Sequence, residues 1–144
     1  MPRGNTLLEV LVALAIAGLL AAFALPALAG LRDRLQVNEA VMRLRTLYGR
    51  ARLVATVEQR IVLATVRPDS LLLRVVDRSD TVTAWATAGP LSEGVRLDGP
   101  VRPMPFSPSG LAFGAGNATY TLTRGSAVKR VVVSRYGRLR VGTP

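Results

Sequence analysis

Two residue types that often carry chemistry are missing from this chain of 144 residues, which has no cysteine and no histidine. The absence of cysteine excludes disulfides, thiol catalysis and zinc–thiolate sites, and the absence of histidine excludes an imidazole base or metal ligand. The nine acidic residues are scattered, without paired carboxylates, a Ser/His/Asp set or a phosphate-binding loop. We therefore expect a protein that is not an enzyme, with no cofactor, no metal and no small-molecule substrate.

Charged residues are missing from a long segment near the N-terminus. Residues 10–31 form a run of 22 apolar or small residues without a charge. At about 1.5 Å per residue, a helix of this length spans the roughly 30 Å hydrocarbon core of a bilayer. A short basic leader that ends at Gly4 precedes the run. Glu9 is a carboxylate at the edge of the run, where an ionised group is costly unless it finds a partner.

The run is too long for a secretory signal, in which about 7–15 apolar residues precede the cleavage site. Here Gly4 follows a basic residue and lies before the run, so that cleavage after it would remove the leader and keep the helix. Residues 4–9 read Gly-Asn-Thr-Leu-Leu-Glu. Followed by a long apolar helix, they resemble the class III signal of type IV pilins and of type II secretion pseudopilins.

This resemblance implies a route of processing and assembly. A prepilin peptidase would cleave after Gly4, Asn5 would be N-methylated, and the helix would later leave the membrane for a filament. Glu9 would then pair with the N-terminal amine of a neighbouring subunit, and Pro26 matches a helix-kinking proline common in pilins. Asn5 departs from the phenylalanine usual at the first mature position. A plain signal anchor with a chance glutamate is the alternative.

Four segments follow from these features: a leader over residues 1–4, a transmembrane and filament-core helix over 5–31, its amphipathic continuation over 32–59, and a β-rich globular domain over 60–144. The continuation is predicted from an apolar stripe with spacings of four and three. Its members are Val37, Val41, Leu44, Tyr48, Ala51 and Ala55. We expect one helix over residues 6–57 whose second half packs on the globular domain through this stripe.

After residue 60 the apolar period changes to two, which predicts β-strands. We expect them over residues 61–66, 71–76, 81–85, 94–97, 111–113, 119–123, 129–134 and 139–141. The proline-rich segment 99–110 is predicted to be a loop, and Trp85 and Tyr48 to be core residues. The predicted fold class is α+β and pilin-like, with a long N-terminal helix packed on antiparallel β-sheets.

The C-terminal part of the sequence narrows the resemblance to one group of pilin-like proteins. Residues 106–113 read Phe-Ser-Pro-Ser-Gly-Leu-Ala-Phe, and after a hairpin residues 131–140 read Val-Val-Val-Ser-Arg-Tyr-Gly-Arg-Leu-Arg. This order is similar to the GspH/FimT family of pseudopilins and minor pilins. The sequence lacks the C-terminal disulfide or equivalent clamp that major pilins usually carry, which favours a minor subunit.

Positive charge dominates the last third of a chain whose formal net charge is +10. Residues 99–144 contain no acidic residue and seven basic ones, which are Arg102, Arg124, Lys129, Arg130, Arg135, Arg138 and Arg140. Arg138 and Arg140 stand two apart, a spacing at which both side chains leave the same side of a strand. We expect this pair to share one solvent face with Lys129 and Arg135, where guanidinium groups suit phosphate oxygens.

The sequence Gly137-Arg138-Leu139-Arg140 also resembles the GRxR element of the DNA-binding members on the FimT side of the family. The resemblance implies a nucleic-acid interface made of Gly137, Arg138 and Arg140 together with Arg135, Lys129 and Arg130. Its partner would be double-stranded DNA, bound without sequence preference.

Two functions remain open. The first is a minor pilin of a type IV pilus that binds extracellular DNA for natural transformation. The alternative is a structural minor pseudopilin (H-type) of a type II secretion system, whose arginines are solvated, meet a protein, or pair with Asp77, Asp80 or Asp98. Both imply prepilin peptidase and other pilin subunits as partners, the latter through the N-terminal helix. Both place the chain in the bacterial inner membrane as a single-pass protein with a periplasmic domain, and then in a filament.

Overall fold

The computed structural model describes residues 6–78, 80–114, 117–134 and 136–142. Gly4, Asn5 and Arg135, which are three of the predicted site residues, lie outside this part of the chain. Two compact units divide the protein, Met1–Arg32 and Asp33–Pro144.

A single helix, α1, extends over Leu7–Glu58 and confirms the helix predicted for residues 6–57. Thr6 precedes it as an N-cap, since its hydroxyl accepts a hydrogen bond from the backbone N–H of Glu9 at 3.4 Å. Pro26 lies inside the helix. The large apolar side chains from Leu7 to Leu31 are exposed, and α1 is long and apolar enough to cross a membrane. This unit suits lipid or other helices as its surroundings, because water would leave its apolar surface unburied.

The second unit adds eight strands to the remainder of α1. They are β1 (Val62–Val66), β2 (Ser70–Asp77), β3 (Asp80–Ala88), β4 (Arg96–Asp98), β5 (Met104–Phe106), β6 (Ala118–Arg124), β7 (Ala127–Val133) and β8 (Leu139–Gly142). A 3-10 turn, Pro90–Glu93, lies between β3 and β4. The first sheet has the order β3-β2-β1-β5 and the second sheet the order β4-β6-β7-β8, and every paired strand is antiparallel. The predicted α+β class is confirmed.

The core lies where the second half of α1 packs on both sheets. All six residues of the predicted stripe are buried, and Ala40 and Leu47 join them from the same helix. At the centre, the hydroxyls of Tyr48 and Tyr120 are 3.1 Å apart and hydrogen-bonded. Burial raises the pKa of Tyr48, and more modestly that of Tyr120, above the ordinary value for tyrosine.

Two predicted features of the first sheet are wrong. The segment 99–110 is not all loop, because β5 lies within it and pairs with β1, with Pro105 opposite Leu63. A proline is tolerated there because β5 is an edge strand, whose outer side needs no N–H donor. Conversely, the strand expected over residues 111–113 is only an isolated bridge between Ala112 and Phe106.

Trp85 is the third correction, since it is half-buried at the margin of the core. It lies on β3, an edge strand, where the sheet extends beyond the cover of other elements. The Arg50 guanidinium of α1 lies 5.0 Å from the centre of its ring, a cation–π contact that adds to the partial packing of the indole against the core.

Candidate nucleic-acid interface

The turn between β7 and β8 fixes the start of the predicted DNA-binding motif. The backbone N–H of Gly137 donates to the carbonyl of Ser134 at 2.8 Å, and the N–H of Ser134 donates to the carbonyl of Arg138 at 2.8 Å. The Ser134 hydroxyl also accepts the N–H of Arg138 at 3.1 Å. These bonds close the turn on both sides and hold the backbone of Arg138 in place.

Gly137 has a structural reason to be glycine. Its φ is +70°, in the left-handed region that other residues rarely adopt. A Cβ atom here would lie 2.8 Å from Cε1 of the buried Phe106 and 3.3 Å from Nη2 of Arg52. The glycine of the GRxR element therefore lets the turn lie against the core, which sets where the arginine after it stands.

Arg52 of α1 ties this turn to a second loop. Its Nη2 donates to the carbonyl oxygen of Tyr136 at 2.8 Å, and its Nε donates to the carbonyl of Gly110 at 3.1 Å. The side chain is exposed, so three of its five N–H donors remain available to another acceptor. Sequence reasoning missed this residue, because the only available signal was its position off the apolar stripe.

Arg138 and Arg140 come together, as their spacing predicted. Both line a groove of about 450 Å³ between α1 and the start of β8, which Arg45 and Arg52 line from the helix. Both also line an adjoining groove of about 740 Å³ that extends to Leu111. We call the joined surface of Arg45, Arg52, Arg138 and Arg140 the arginine groove. Among the residues that the structure describes, no acidic side chain lines either of its two parts.

Arg130 extends this basic surface across the second sheet. It is paired with Gly142 in the β7–β8 ladder, and Val132, two residues on, is paired with Arg140. Arg130 and Arg140 are therefore diagonal neighbours on one face, at roughly 7–8 Å between backbones. Gly142 leaves the space between them open, and both arginines line the hollow there.

Lys129 does not belong to this face, contrary to the expectation that it joins Arg138 and Arg140. It is paired with the buried Leu122, so it lies on the side of the sheet that faces α1. There it lines a separate hollow with Arg34. The reason is the period of a strand: Lys129 and Arg130 are consecutive, so their side chains leave opposite faces.

The carboxylates that the alternative interpretation offered as partners for the arginines lie elsewhere. Asp77 pairs with Arg60 at 3.5 Å, and Asp80 accepts the backbone N–H of Thr81 at 2.7 Å. Asp98 lies on β4, at the opposite edge of the second sheet from β8. Within the described residues, the arginine groove makes no ion pair with a carboxylate, and its guanidinium charge stays uncompensated.

Glu9 lies in the first turn of α1 and is exposed among exposed leucines. An ionised group in such apolar surroundings needs a partner once the helix is placed in lipid or against other helices. Its pairing with a neighbouring subunit remains a prediction.

A long N-terminal helix whose second half packs on antiparallel sheets defines the class of type IV pilin-like proteins. The minor pilin FimU of Pseudomonas aeruginosa shares the fold with a TM-score of 0.62, over 76% of this chain and 90% of that chain, at 15% identity. The minor pseudopilin EpsH from the type 2 secretion system of Vibrio cholerae does so with a TM-score of 0.55, over 78% and 98%, at 16% identity.

Sequence comparison gives the family. Residues 2–25 match the prokaryotic N-terminal methylation motif. The pilin-like protein PilA1 of Thermus thermophilus is 35% identical, over 96% of this chain and 97% of that protein. The chain belongs to the family of pilin-like proteins, with the N-terminal methylation motif of prokaryotic pilins.

Proposed function

We propose that this chain is a minor pilin of a type IV pilus whose arginine groove binds double-stranded DNA without sequence preference during natural transformation. The observation that carries the proposal is the meeting of Arg45, Arg52, Arg138 and Arg140 around grooves that no acidic residue lines. Arg45 and Arg52 lie on α1, whereas Arg138 directly precedes β8 and Arg140 lies on it. Only the folded chain brings these distant segments together.

The chemistry of the groove suits a phosphate backbone. A guanidinium offers planar, paired donors that match phosphate oxygens, and its charge does not titrate near neutral pH. The exposed Arg130 lies beyond the groove on the outer face of the second sheet and offers a further contact along the strand of phosphates. The proposed contacts are to phosphates, which carry no sequence information, and no amide or carboxylate side chain among the described residues lines the groove to read adenine or cytosine edges.

The number of arginines sets the expected strength and salt dependence. If four or five phosphates are neutralised, the slope of log K against log salt is about −4, which weakens binding about 200-fold between 50 and 200 mM salt. Such binding is weak for one subunit, with dissociation constants on the order of 10⁻⁴ to 10⁻⁶ M. A filament that presents several sites would compensate by multivalency.

In this proposal, the N-terminal region attaches the DNA-binding domain first to the membrane and then to the filament. In the proposal, peptidase removes the leader after Gly4, Asn5 is methylated, and the single-pass helix anchors the chain in the inner membrane with its domain in the periplasm. Residues 5–31 act as the membrane and filament-core helix, residues 32–59 as its amphipathic continuation and residues 60–144 as the exposed domain. Glu9 then directs assembly by pairing with a neighbouring subunit's amine.

A structural H-type pseudopilin of a type II secretion system is the second candidate. It is favoured by the exposed apolar side chains beside the arginines, since Leu111 is 48% exposed and Tyr136 is 64% exposed. Such a mixture of arginine, tyrosine and leucine also suits contact with a protein. The fold does not separate the two candidates, because a minor pilin and a minor pseudopilin both share it.

Fluorescence anisotropy with a labelled DNA duplex separates them, using the full chain in a non-ionic detergent. We expect Arg138→Gln/Arg140→Gln to weaken binding at least tenfold at 100 mM salt. The matched control is Arg67→Gln/Arg78→Gln, which removes the same charge from exposed turns of the first sheet. An equal loss of affinity in both variants would show that DNA binding depends only on net charge and not on the arginine groove. If the parent chain does not bind DNA, the pseudopilin is the better candidate.

A further inference from the structure

Lys129, which the arginine groove leaves out, belongs to a second basic surface. It lines a hollow of about 310 Å³ with Arg34 and Asn38 of α1 and with Ser126 in the turn between β6 and β7. Lys129 is the only lysine in the chain, and it lies on the face of the second sheet that is turned toward the helix. The hollow therefore joins the helix and the β6–β7 hairpin at one place.

The hollow has the chemistry of an anion site. Two cations, an amide and a hydroxyl surround it, and none of its lining residues is acidic. The neighbouring carboxylate, Asp33, is already paired with Arg124 at 2.9 Å. Neither Arg34 nor Lys129 makes an ion pair with the carboxylates that the structure describes.

The position of Arg34 along α1 points to the source of the anion. The apolar run of the helix ends at residue 31, and Arg34 follows it by three residues, about 4.5 Å of helical rise. When residues 10–31 lie in the hydrocarbon, Arg34 is at the depth of the lipid headgroups. Basic residues at this depth are attracted to anionic lipids.

From this placement we infer that the hollow of Arg34 and Lys129 binds the phosphate of an anionic phospholipid headgroup while the chain is anchored in the membrane. The half-buried Ala127 and Val128 supply an aliphatic part of the lining, which suits the glycerol and first methylenes beside a phosphodiester. A free phosphate would satisfy the cations but would leave these apolar atoms uncovered. The inference rests on membrane anchoring and not on DNA binding.

Native mass spectrometry of the full chain tests it. The protein is released from mixed micelles that contain equal amounts of phosphatidylglycerol and phosphatidylcholine, and the lipids retained on it are counted. We expect at least a threefold preference for phosphatidylglycerol. Arg34→Gln/Lys129→Gln should abolish that preference, and the control Arg67→Gln/Arg78→Gln, of equal charge, should keep it.

Equal retention of both lipids, or an equal loss of preference in both variants, would overturn the inference. A parallel arm adds 20 mM inorganic phosphate to the micelles. Retention that persists supports a lipid site, and displacement of the lipid would show instead a site for free phosphate. DNA titration of Arg34→Gln/Lys129→Gln keeps the two proposals apart, because the arginine groove is intact in this variant.

Discussion

Replacement of Gly137 by alanine tests whether backbone geometry, and not charge alone, builds the arginine groove. Two costs add up. A residue with a side chain in the left-handed region loses about 1–2 kcal/mol. The new Cβ would also lie 2.8 Å from Cε1 of Phe106, a residue that is 0% exposed and cannot swing aside. Such overpacking costs about 1–3 kcal/mol, so the total loss of stability is about 2–5 kcal/mol.

Because Phe106 cannot move, the turn between β7 and β8 must shift to make room for the new Cβ atom of residue 137. Ordinary contact with Cε1 requires a shift of about half an ångström or more. This would stretch the 2.8 Å hydrogen bond from Arg52 to the carbonyl of Tyr136 and displace Arg138. Gly137→Ala should therefore also weaken DNA binding severalfold, although every guanidinium is retained.

Guanidinium unfolding in detergent measures the stability change through the fluorescence of Trp85, the only tryptophan, which packs against the core. With a slope of about 3 kcal/mol/M, the midpoint should fall by about 1 M. The control is Gly142→Ala, because a Cβ atom there meets nothing within 4 Å. It should change stability by less than about 0.5 kcal/mol. Equal stability of the two variants would refute the role given to Gly137.

Three further changes test other parts of the molecule. Burial holds the pKa of Tyr48 and Tyr120 above about 10, so as the pH rises the unfolded chain loses both protons first. Stability should fall as the pH rises above 10, by about 1.4 kcal/mol per pH unit for Tyr48, and Tyr48→Phe should make that fall less steep in urea unfolding. Glu9→Gln should keep the chain in the membrane fraction but exclude it from sheared filaments, and normal incorporation would contradict the pairing. Asp33→Asn should cost about 0.5–1 kcal/mol at low salt and less at 1 M salt, because its pair with Arg124 is partly exposed.

The helix and the class of fold could be predicted because each depends on a local pattern. The stripe from Val37 to Ala55 repeats at helical spacing, and every member is buried. Burial alternates along β2, β6 and β8, as the period of two predicts, whereas β5 was missed because Pro105 suggested a loop. That proline is compatible with a strand only at a sheet edge, and the order of strands decides which strand is an edge.

Only part of the candidate site could be predicted from the sequence. The spacing of Arg138 and Arg140 was sufficient to place them together, and strand alternation alone separates Lys129 from Arg130. Arg45 and Arg52, which precede the motif by more than eighty residues, reach the same groove from α1. Such a meeting depends on how α1 packs on the second sheet, which no local pattern encodes.

The salt dependence of DNA binding tests the central claim most directly. Titrations of the full chain between 50 and 300 mM salt should give a slope of log K against log salt of about −4. Arg138→Gln/Arg140→Gln should reduce its magnitude by about 2, one for each phosphate that is no longer neutralised, while Arg67→Gln/Arg78→Gln leaves it unchanged. An identical slope in all three proteins would contradict phosphate contact by Arg138 and Arg140 and would leave the groove to a protein partner.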